Sequence, residues 1–515
     1  MTTLNRRAVL RAGLFIAAAG ALGACSKTDR STAPRLAAPD GTAVRAAEAR
    51  RVRSGRTVTA RYEAGPATID LGGIAVRTWA YDNTLPGRVL RARKGDQLEV
   101  TVANALPTPT TVHWHGLALR NDADGVPDVT QRTIAARGDH TYRFTADAPG
   151  TYWFHPHVGV QQDRGLYAPL IVEDPDEPLA YDDEWIVVID DWIDGVTVTP
   201  DQVLAQLRRG MGDTGGHDMG DMDGGSMDMS PSASPTAPSG ATPDVRLMGA
   251  TSHLLGGDAG DVRYPHYLIN GRRAEAPATF TAKPRTRVRI RFINAGSDTA
   301  FRIALGGHRM RVTHTDGYPV QPMDTDALLV GERYDVLVDL ADGVYPLVAV
   351  AEGKNAAAFA LVRTGPGTAP ALTVRPPELG RRVVVAAELR AAGEVRLPAA
   401  KADNTQRLLL TGEMETYEWG FDGRRYDPRD PIVIDEGQRV RLSFTNKTPM
   451  WHPVHVHGHT FQLGDRGPRK DTVIVRPRET VHCDFLADNP GRWMVHCHNA
   501  YHAEVGMMRL LGYRA

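Results

Sequence analysis

The chain has 515 residues, too many for a single hydrophobic core, so roughly two to four domains are expected. Its formal net charge is −1, which leaves no electrostatic footprint for nucleic acid. Three cysteines are too few for a disulfide scaffold.

The N-terminus reads as an export signal. Arg6-Arg7 precede an apolar stretch, residues 12–22, that is too short to be a good membrane-spanning helix. Paired arginines point to the twin-arginine route, which exports folded proteins. Leu22-Gly23-Ala24-Cys25 resembles a lipoprotein box, with Cys25 as the lipidated residue. Residues 1–25 are therefore set aside as a signal, and residues 26–48 read as a flexible tether. The expected location is the cell envelope, on the outer face of the cytoplasmic membrane.

Beyond residue 48, runs rich in Val, Thr, Phe and Arg between Gly and Pro predict mostly β structure. One run recurs. Leu98-Glu99-Val100-Thr101-Val102-Ala103-Asn104 matches Val288-Arg289-Ile290-Arg291-Phe292-Ile293-Asn294 and Val440-Arg441-Leu442-Ser443-Phe444-Thr445-Asn446. Each copy alternates like a half-buried strand and ends in a turn-favouring Asn. Counting nine and eleven residues on from Asn104 gives His113 and His115, and the same count from Asn446 gives His455 and His457. From Asn294 it gives Ile303 and Leu305. Likewise Pro149-Gly150 leads to His155-Pro156-His157, and Pro490-Gly491 leads to His496-Cys497-His498. In the middle copy Gly343 leads to Val348 and Val350. Three similar β domains follow, at residues 49–177, 178–372 and 373–515, the middle one with apolar residues in place of ligands.

Within the middle domain, residues 210–243 cannot bury a core and are expected to be disordered. Their first part carries Met211, Met219, Met222, Met227, Met229 and His217 among Asp and Gly; Ser, Pro, Ala and Thr follow. A surface linker leaves these methionines unexplained, whereas thioether sulfur is a soft ligand that favours Cu(I).

Strand parity sorts the remaining histidines, because i and i+2 share a face. His113/His115, His155/His157, His455/His457 and His496/His498 are four same-face pairs able to converge where domains one and three meet. Cys497 and His452 face the other way, joined by His502 and Met507 beyond the strand. Two His, one Cys and a weakly bound Met make a blue-copper electron-transfer site. Eight histidines are too many for one metal and suit three. Cys497, bonded directly to His496 and His498, gives a short covalent path between the two sites. Four coppers hold the four electrons that reduce O2 to two waters. A lone His-x-His is more often a structural histidine pair or a zinc fragment; four such motifs at repeat-matched positions disfavour that reading.

These motifs resemble those of the multicopper oxidases, the family of laccases, ascorbate oxidase, ferroxidases and bacterial cuprous oxidases, over essentially all of residues 49–515. The resemblance implies an all-β fold of three cupredoxin-like Greek-key domains. It implies type 1 copper on His452, Cys497 and His502 with Met507 axial, and type 2 copper on His113 and His455. It further implies a type 3 pair on His115, His155, His157, His457, His496 and His498. It also places Asp124 at the position of an acidic residue that relays protons, although a turn would select Asp there as well. Many bacterial members carry a second carboxylate directly after the last type 1 His; here that position is Ala503, and Glu504 follows it. Met450 matches a substrate-copper Met of cuprous oxidases, with Thr448 where those enzymes have Asp, and it could equally be packing.

The expected activity is oxidation of Cu(I), for copper tolerance, and of phenols in vitro, by a monomer whose membrane contact is the lipid anchor. The competing readings are a general laccase for phenols and aromatic amines, and a copper-binding protein without catalysis. Structural members of the fold generally lose the ligands, and nitrite reductases place their active copper between subunits. Cys483 reads as a buried small hydrophobe. His314 and His459 are candidate supports of the ligands.

Overall fold

The computed structural model describes residues 34–210 and 243–515. The Arg6-Arg7 and Cys25 motifs and the Met-rich run from Met211 to Met229 lie outside those residues. Six of the described sheets pair into three two-sheet sandwiches with crossed-over connections, the architecture of cupredoxin-like domains.

The recurring run is the organising strand of each sandwich. Asp96–Asn104 lies between a parallel partner, Thr57–Asp70, and an antiparallel one, Asp139–Ala146. Arg287–Asn294 lies in the same way between Asp183–Trp192 and Arg333–Asp339. Arg439–Asn446 lies between Asn404–Glu413 and Thr480–Leu486. The alternation has a packing cause: Leu98, Val100 and Val102 are buried, and their neighbours are partly exposed.

The Asn that closes each run does more than favour a turn. Asn104 Nδ2 donates to the carbonyls of Thr108 and Ile134, and its Oδ1 accepts from Leu106 N. Asn294 does the same with Thr299, Val330 and Gly296, and Asn446 with Met450, Val475 and Thr448. All three are buried. Each amide satisfies three backbone groups that the departing strand leaves in the interior.

The second sheet of the first and third sandwiches carries the histidine motifs. His113–His115 pairs antiparallel with Gly150–His155, setting His113 opposite His155. His452–Val456 pairs with Arg492–Cys497, setting His455 opposite His496 and Val454 opposite Cys497. In the middle sandwich Phe301–Leu305 pairs with Val344–Ala351, but Ile303 faces Ala349 rather than Val348. Ile303, Leu305 and Val348 are fully buried. With no ligands to align, apolar packing sets this register.

The N-terminal tether expectation needs correction. Within residues 26–48, Ala37 is buried and its amide donates to Tyr513 O at 2.8 Å. Leu36 bridges to Arg514, and Thr42–Arg50 is a helix that buries Val44 and Ala47. A few apolar contacts and edge hydrogen bonds suffice to order a segment whose composition reads as linker. The ends of the Met-rich segment are likewise held: Gly210 O accepts from Arg246, and Pro243 O from Gln206.

Asn294→Ala tests the repeat independently of the metal motifs. Leaving its backbone partners unsatisfied is expected to cost about 2–4 kcal/mol in chemical denaturation, with metal binding by the folded fraction unchanged. An unchanged midpoint would contradict the role given to this amide.

Candidate metal centres

The ten motif histidines and Cys497 gather into two adjoining clusters. Among the described residues, groups with potential ligand atoms within 4.8 Å of one another are His115/His155/His498, His157/His457/His496, His113/His115/His455, His452/Cys497/His502 and His113/Asp124/His457. The first two use six of the eight same-face histidines, and His113 and His455 remain as a further pair. Strand parity therefore assembles as expected, with first-sandwich and third-sandwich histidines in each mixed group.

The orientation of six of the eight rings follows from the second nitrogen. His155 Nδ1 donates to Pro156 O at 2.9 Å, His496 Nδ1 to Cys497 O at 2.8 Å and His113 Nδ1 to Asp124 O at 3.0 Å. His457 Nδ1 donates to Asp124 Oδ2 at 2.9 Å and His455 Nδ1 to Asp471 O at 2.9 Å. His115 is turned round: its Nε2 donates to Asp471 Oδ1 at 3.0 Å. Carbonyls and carboxylates only accept, so these nitrogens carry the proton. Burial, reinforced by neighbouring imidazoles, pushes His155, His457, His496 and His498 well below the ordinary histidine value, and His157 down to about 3. Those five rings are neutral, and on His155, His457 and His496 the other nitrogen is a bare lone pair.

Those lone pairs converge. His457 Nε2 lies 3.0 Å from His496 Nε2, and His155 Nε2 lies 3.4 Å from His498 Nε2. With both protons of the first pair committed elsewhere, these two atoms cannot hydrogen-bond each other. His113 Nε2, His115 Nδ1, His157 Nε2 and His455 Nε2 are buried without a hydrogen-bond partner among the described residues. Buried acceptors facing one another are costly unless a cation lies among them. The donor set thus fits metal ions, and imidazole with one thiolate suits copper.

The Cys497 cluster repeats the logic. His502 Nε2 donates to Asp261 Oδ2 at 2.8 Å, and His452 Nε2 lies 2.8 Å from the Thr448 hydroxyl. The two Nδ1 atoms then face each other at 3.2 Å, with Cys497 Sγ 3.7 and 3.6 Å away. Burial pushes the Cys497 thiol up, so a thiolate needs a bound cation. The short helix Ala500–Val505, capped by the Asn499 side chain, carries His502 back to the sulfur. Gly506, at φ 119°, ends the helix in a left-handed turn and returns Met507, whose carbonyl accepts from Cys497 N at 3.0 Å. Trp419 covers His502 with ring centroids 4.2 Å apart.

Other expected residues have defined places. Asp124 bonds His457 and lies 3.2 Å from His113 Nδ1. Glu504 lines a cavity of ≈ 150 Å³ with His157, His496 and His498, and lies 3.7 Å from Arg208. Met450 is buried in the main core, its carbonyl accepting from Asn446 and Thr448. His459 donates to His457 O, whereas His314 bonds Arg289, away from both clusters. Cys483 is fully buried.

Two supports escape a reading of the sequence. Asp471 holds both His115 and His455, and is held in turn by the buried Arg333 of the middle sandwich at 2.5 Å. Burial opposes ionisation of Asp471, but Arg333 and the histidines keep its carboxyl well below the usual range. Asp261, 241 residues before His502, orients that ligand. Neither carries a motif: Asp471 sits at the bend between the strands Arg469–Lys470 and Thr472–Val475.

Comparisons with known proteins agree with this geometry. Three models of multicopper oxidase domains match residues 64–177, 249–366 and 399–514. The chain is 48% identical to multicopper oxidase MmcO of Mycobacterium tuberculosis over 99% of this chain and 96% of that one. It is 29% identical to a copper resistance protein A homolog of Pseudomonas syringae, over 86% and 90% of the two chains. The structure of Fet3p, a multicopper oxidase that functions in iron import, superposes with a TM-score of 0.70 at 21% identity, covering 89% and 90%, and supports the fold. The chain belongs to the multicopper oxidase family. It is an oxidoreductase with copper cofactors that uses O2 and a reducing substrate.

Asp471→Asn is expected to lower copper affinity at the His115/His455 side roughly 10–100-fold, the usual cost of losing a carboxylate behind a ligand histidine. Loss of blue absorption is not expected, since Cys497 lies outside this contact. Full copper content after dialysis against a chelator would contradict it.

Proposed function

We propose that this chain couples one-electron oxidation of Cu(I) to four-electron reduction of O2 to water, using four coppers. The observation that carries this reading is the division of ten histidines and one cysteine into two oriented clusters joined through Cys497. His452, Cys497, His502 and Met507 would hold type 1 copper, His113 and His455 type 2, and His115, His155, His157, His457, His496 and His498 the type 3 pair. When bound, copper supplies reversible one-electron chemistry at each centre.

The protein's own part is orientation, water access and proton supply. Asp124 and Asp471 keep the second nitrogens protonated and the ligand nitrogens bare. The ≈ 150 Å³ cavity beside His157 and His498 gives O2 a way in and water a way out. Glu504 in its wall and Asp124, bonded to His457, are the groups proposed to pass protons. Trp419, Met450 and the core around Cys497 keep solvent from the sulfur.

Cu(I) as donor is supported by similarity to copper resistance proteins and by the soft methionines of residues 211–229. Met450, being buried, is assigned to packing. A phenol-oxidising reading draws support from an apolar cavity of ≈ 260 Å³ lined by Leu254, Leu329 and Ile474, the last paired with Pro453 beside His452. Export by the twin-arginine route, attachment through Cys25 and a monomeric state complete the proposal.

The test is O2 uptake by copper-loaded protein with Cu(I), Fe(II) and a phenol side by side. Turnover of Cu(I) and of at least one phenol is expected. Cys497→Ser is expected to lose the blue colour, keep the histidine-bound coppers and reduce turnover with every donor to background. Full activity in that variant would contradict the path through Cys497.

A further inference from the structure

A cavity of ≈ 1060 Å³ opens where the connector after the first sandwich crosses the middle one. None of the clustered histidines lines it. Its buried floor holds Arg289 and Arg291 of strand Arg287–Asn294, and Thr313 and His314 of strand Met310–Thr315. The register of the latter strand shifts between Val312 and His314. Such a bulge re-aims the side chains beside it.

His314 is only 8% exposed, and its Nδ1 lies 3.3 Å from Arg289 Nη2. A guanidinium only donates, so Nδ1 accepts and the ring proton sits on Nε2. Burial and the Arg289 charge hold this histidine below its ordinary value, so the ring is neutral. Its Nε2–H faces the cavity with no acceptor among the described residues. A nearly buried donor in that state calls for an oxygen.

The remaining lining narrows the ligand. The floor cations are spent: Arg289 pairs with Asp335 and Glu177, and Arg291 with Asp335 and Glu184. At the rim Asp174, Asp176, Asp183 and Glu394 enter no ion pair among the described residues, against Lys94 alone on the basic side. Half-buried Tyr181 and Tyr318 stand in the walls. An anion would meet surplus carboxylate. A metal ion would find N–H rather than a lone pair on the imidazole. A wholly apolar molecule would leave that N–H unsatisfied. The fitting ligand combines an oxygen acceptor, positive charge and a flat C–H face for the tyrosines. An amino sugar has all three, and the volume holds a few sugar rings.

We propose that this cavity binds a saccharide bearing free amino groups, with a sugar oxygen on His314 Nε2 and the ammonium groups among Asp174, Asp176 and Glu394. This binding is separate from the copper chemistry and adds a second ligand class to the molecule.

Calorimetric titration of the full-length, copper-loaded protein with a glucosamine tetramer, its N-acetylated counterpart and spermidine tests the site. Saturable binding of the glucosamine tetramer is expected, at least about tenfold tighter than either other probe. His314→Leu is expected to weaken it about tenfold, as one buried hydrogen bond is lost. His314→Gln, whose amide still donates, is expected to weaken it less than about threefold. Asp176→Asn/Glu394→Gln, at exposed positions, guards against a folding defect in the buried variants. It is expected to weaken the glucosamine tetramer alone and leave the acetylated one unchanged. Retained blue absorption reports an intact Cys497 centre in each variant. No binding by the wild type, equal binding of spermidine, or wild-type affinity in His314→Leu would each overturn the site. Equal affinity for the acetylated tetramer would overturn the part given to the carboxylates.

Discussion

The structure depends on a constraint on eight of the ten ligand imidazoles: one nitrogen is tied to a protein acceptor so that the other is left bare. Pro156 O, Cys497 O, Asp124 and Asp471 impose this on six histidines of the eight-histidine cluster, and Asp261 and Thr448 impose it on the Cys497 cluster. His457 and His496, each with its Nδ1 proton committed to a protein acceptor, cannot satisfy one another across 3.0 Å. The fold therefore assembles lone pairs whose desolvation only cations offset. Metal binding and the junction of the first and third sandwiches are thus one energetic unit.

The middle sandwich, lacking ligands, supplies the struts. Arg333 donates to Thr151 O of the first sandwich and pairs with Asp471 of the third. Asp261 reaches His502, and Asp298 accepts from Asn499, the cap of the His502 helix. A charged partner buried at 1% exposure is poorly replaceable, since its removal leaves the opposite charge uncompensated. This repeat, without ligands of its own, holds both centres in place.

Much of this was legible in the sequence, for definite reasons. A strand repeats every two residues, so His-x-His places two rings on one face and Cys497 on the other. The triple recurrence of a strand ending in Asn exposed the three sandwiches. What stayed hidden depends on contacts distant in sequence. Asp471 meets His115 across 356 positions, and Asp261 meets His502 across 241. The closing Asn reads as a turn residue because its three backbone partners are set by the tertiary fold. Residues 36–48, part of the expected tether 26–48, read as linker because composition does not reveal an edge strand waiting beside them. Met450 matched a motif, yet the core closes over it.

Diffraction from copper-loaded crystals at wavelengths on either side of the copper absorption edge decides whether the facing imidazoles hold copper. The account predicts anomalous density between His457 and His496, between His155 and His498, near the bare nitrogens of His113 and His455, and between Cys497 and its two histidines. Fully loaded protein lacking density among the facing imidazoles, or with their second nitrogens turned away from Asp124 and Asp471, would contradict it.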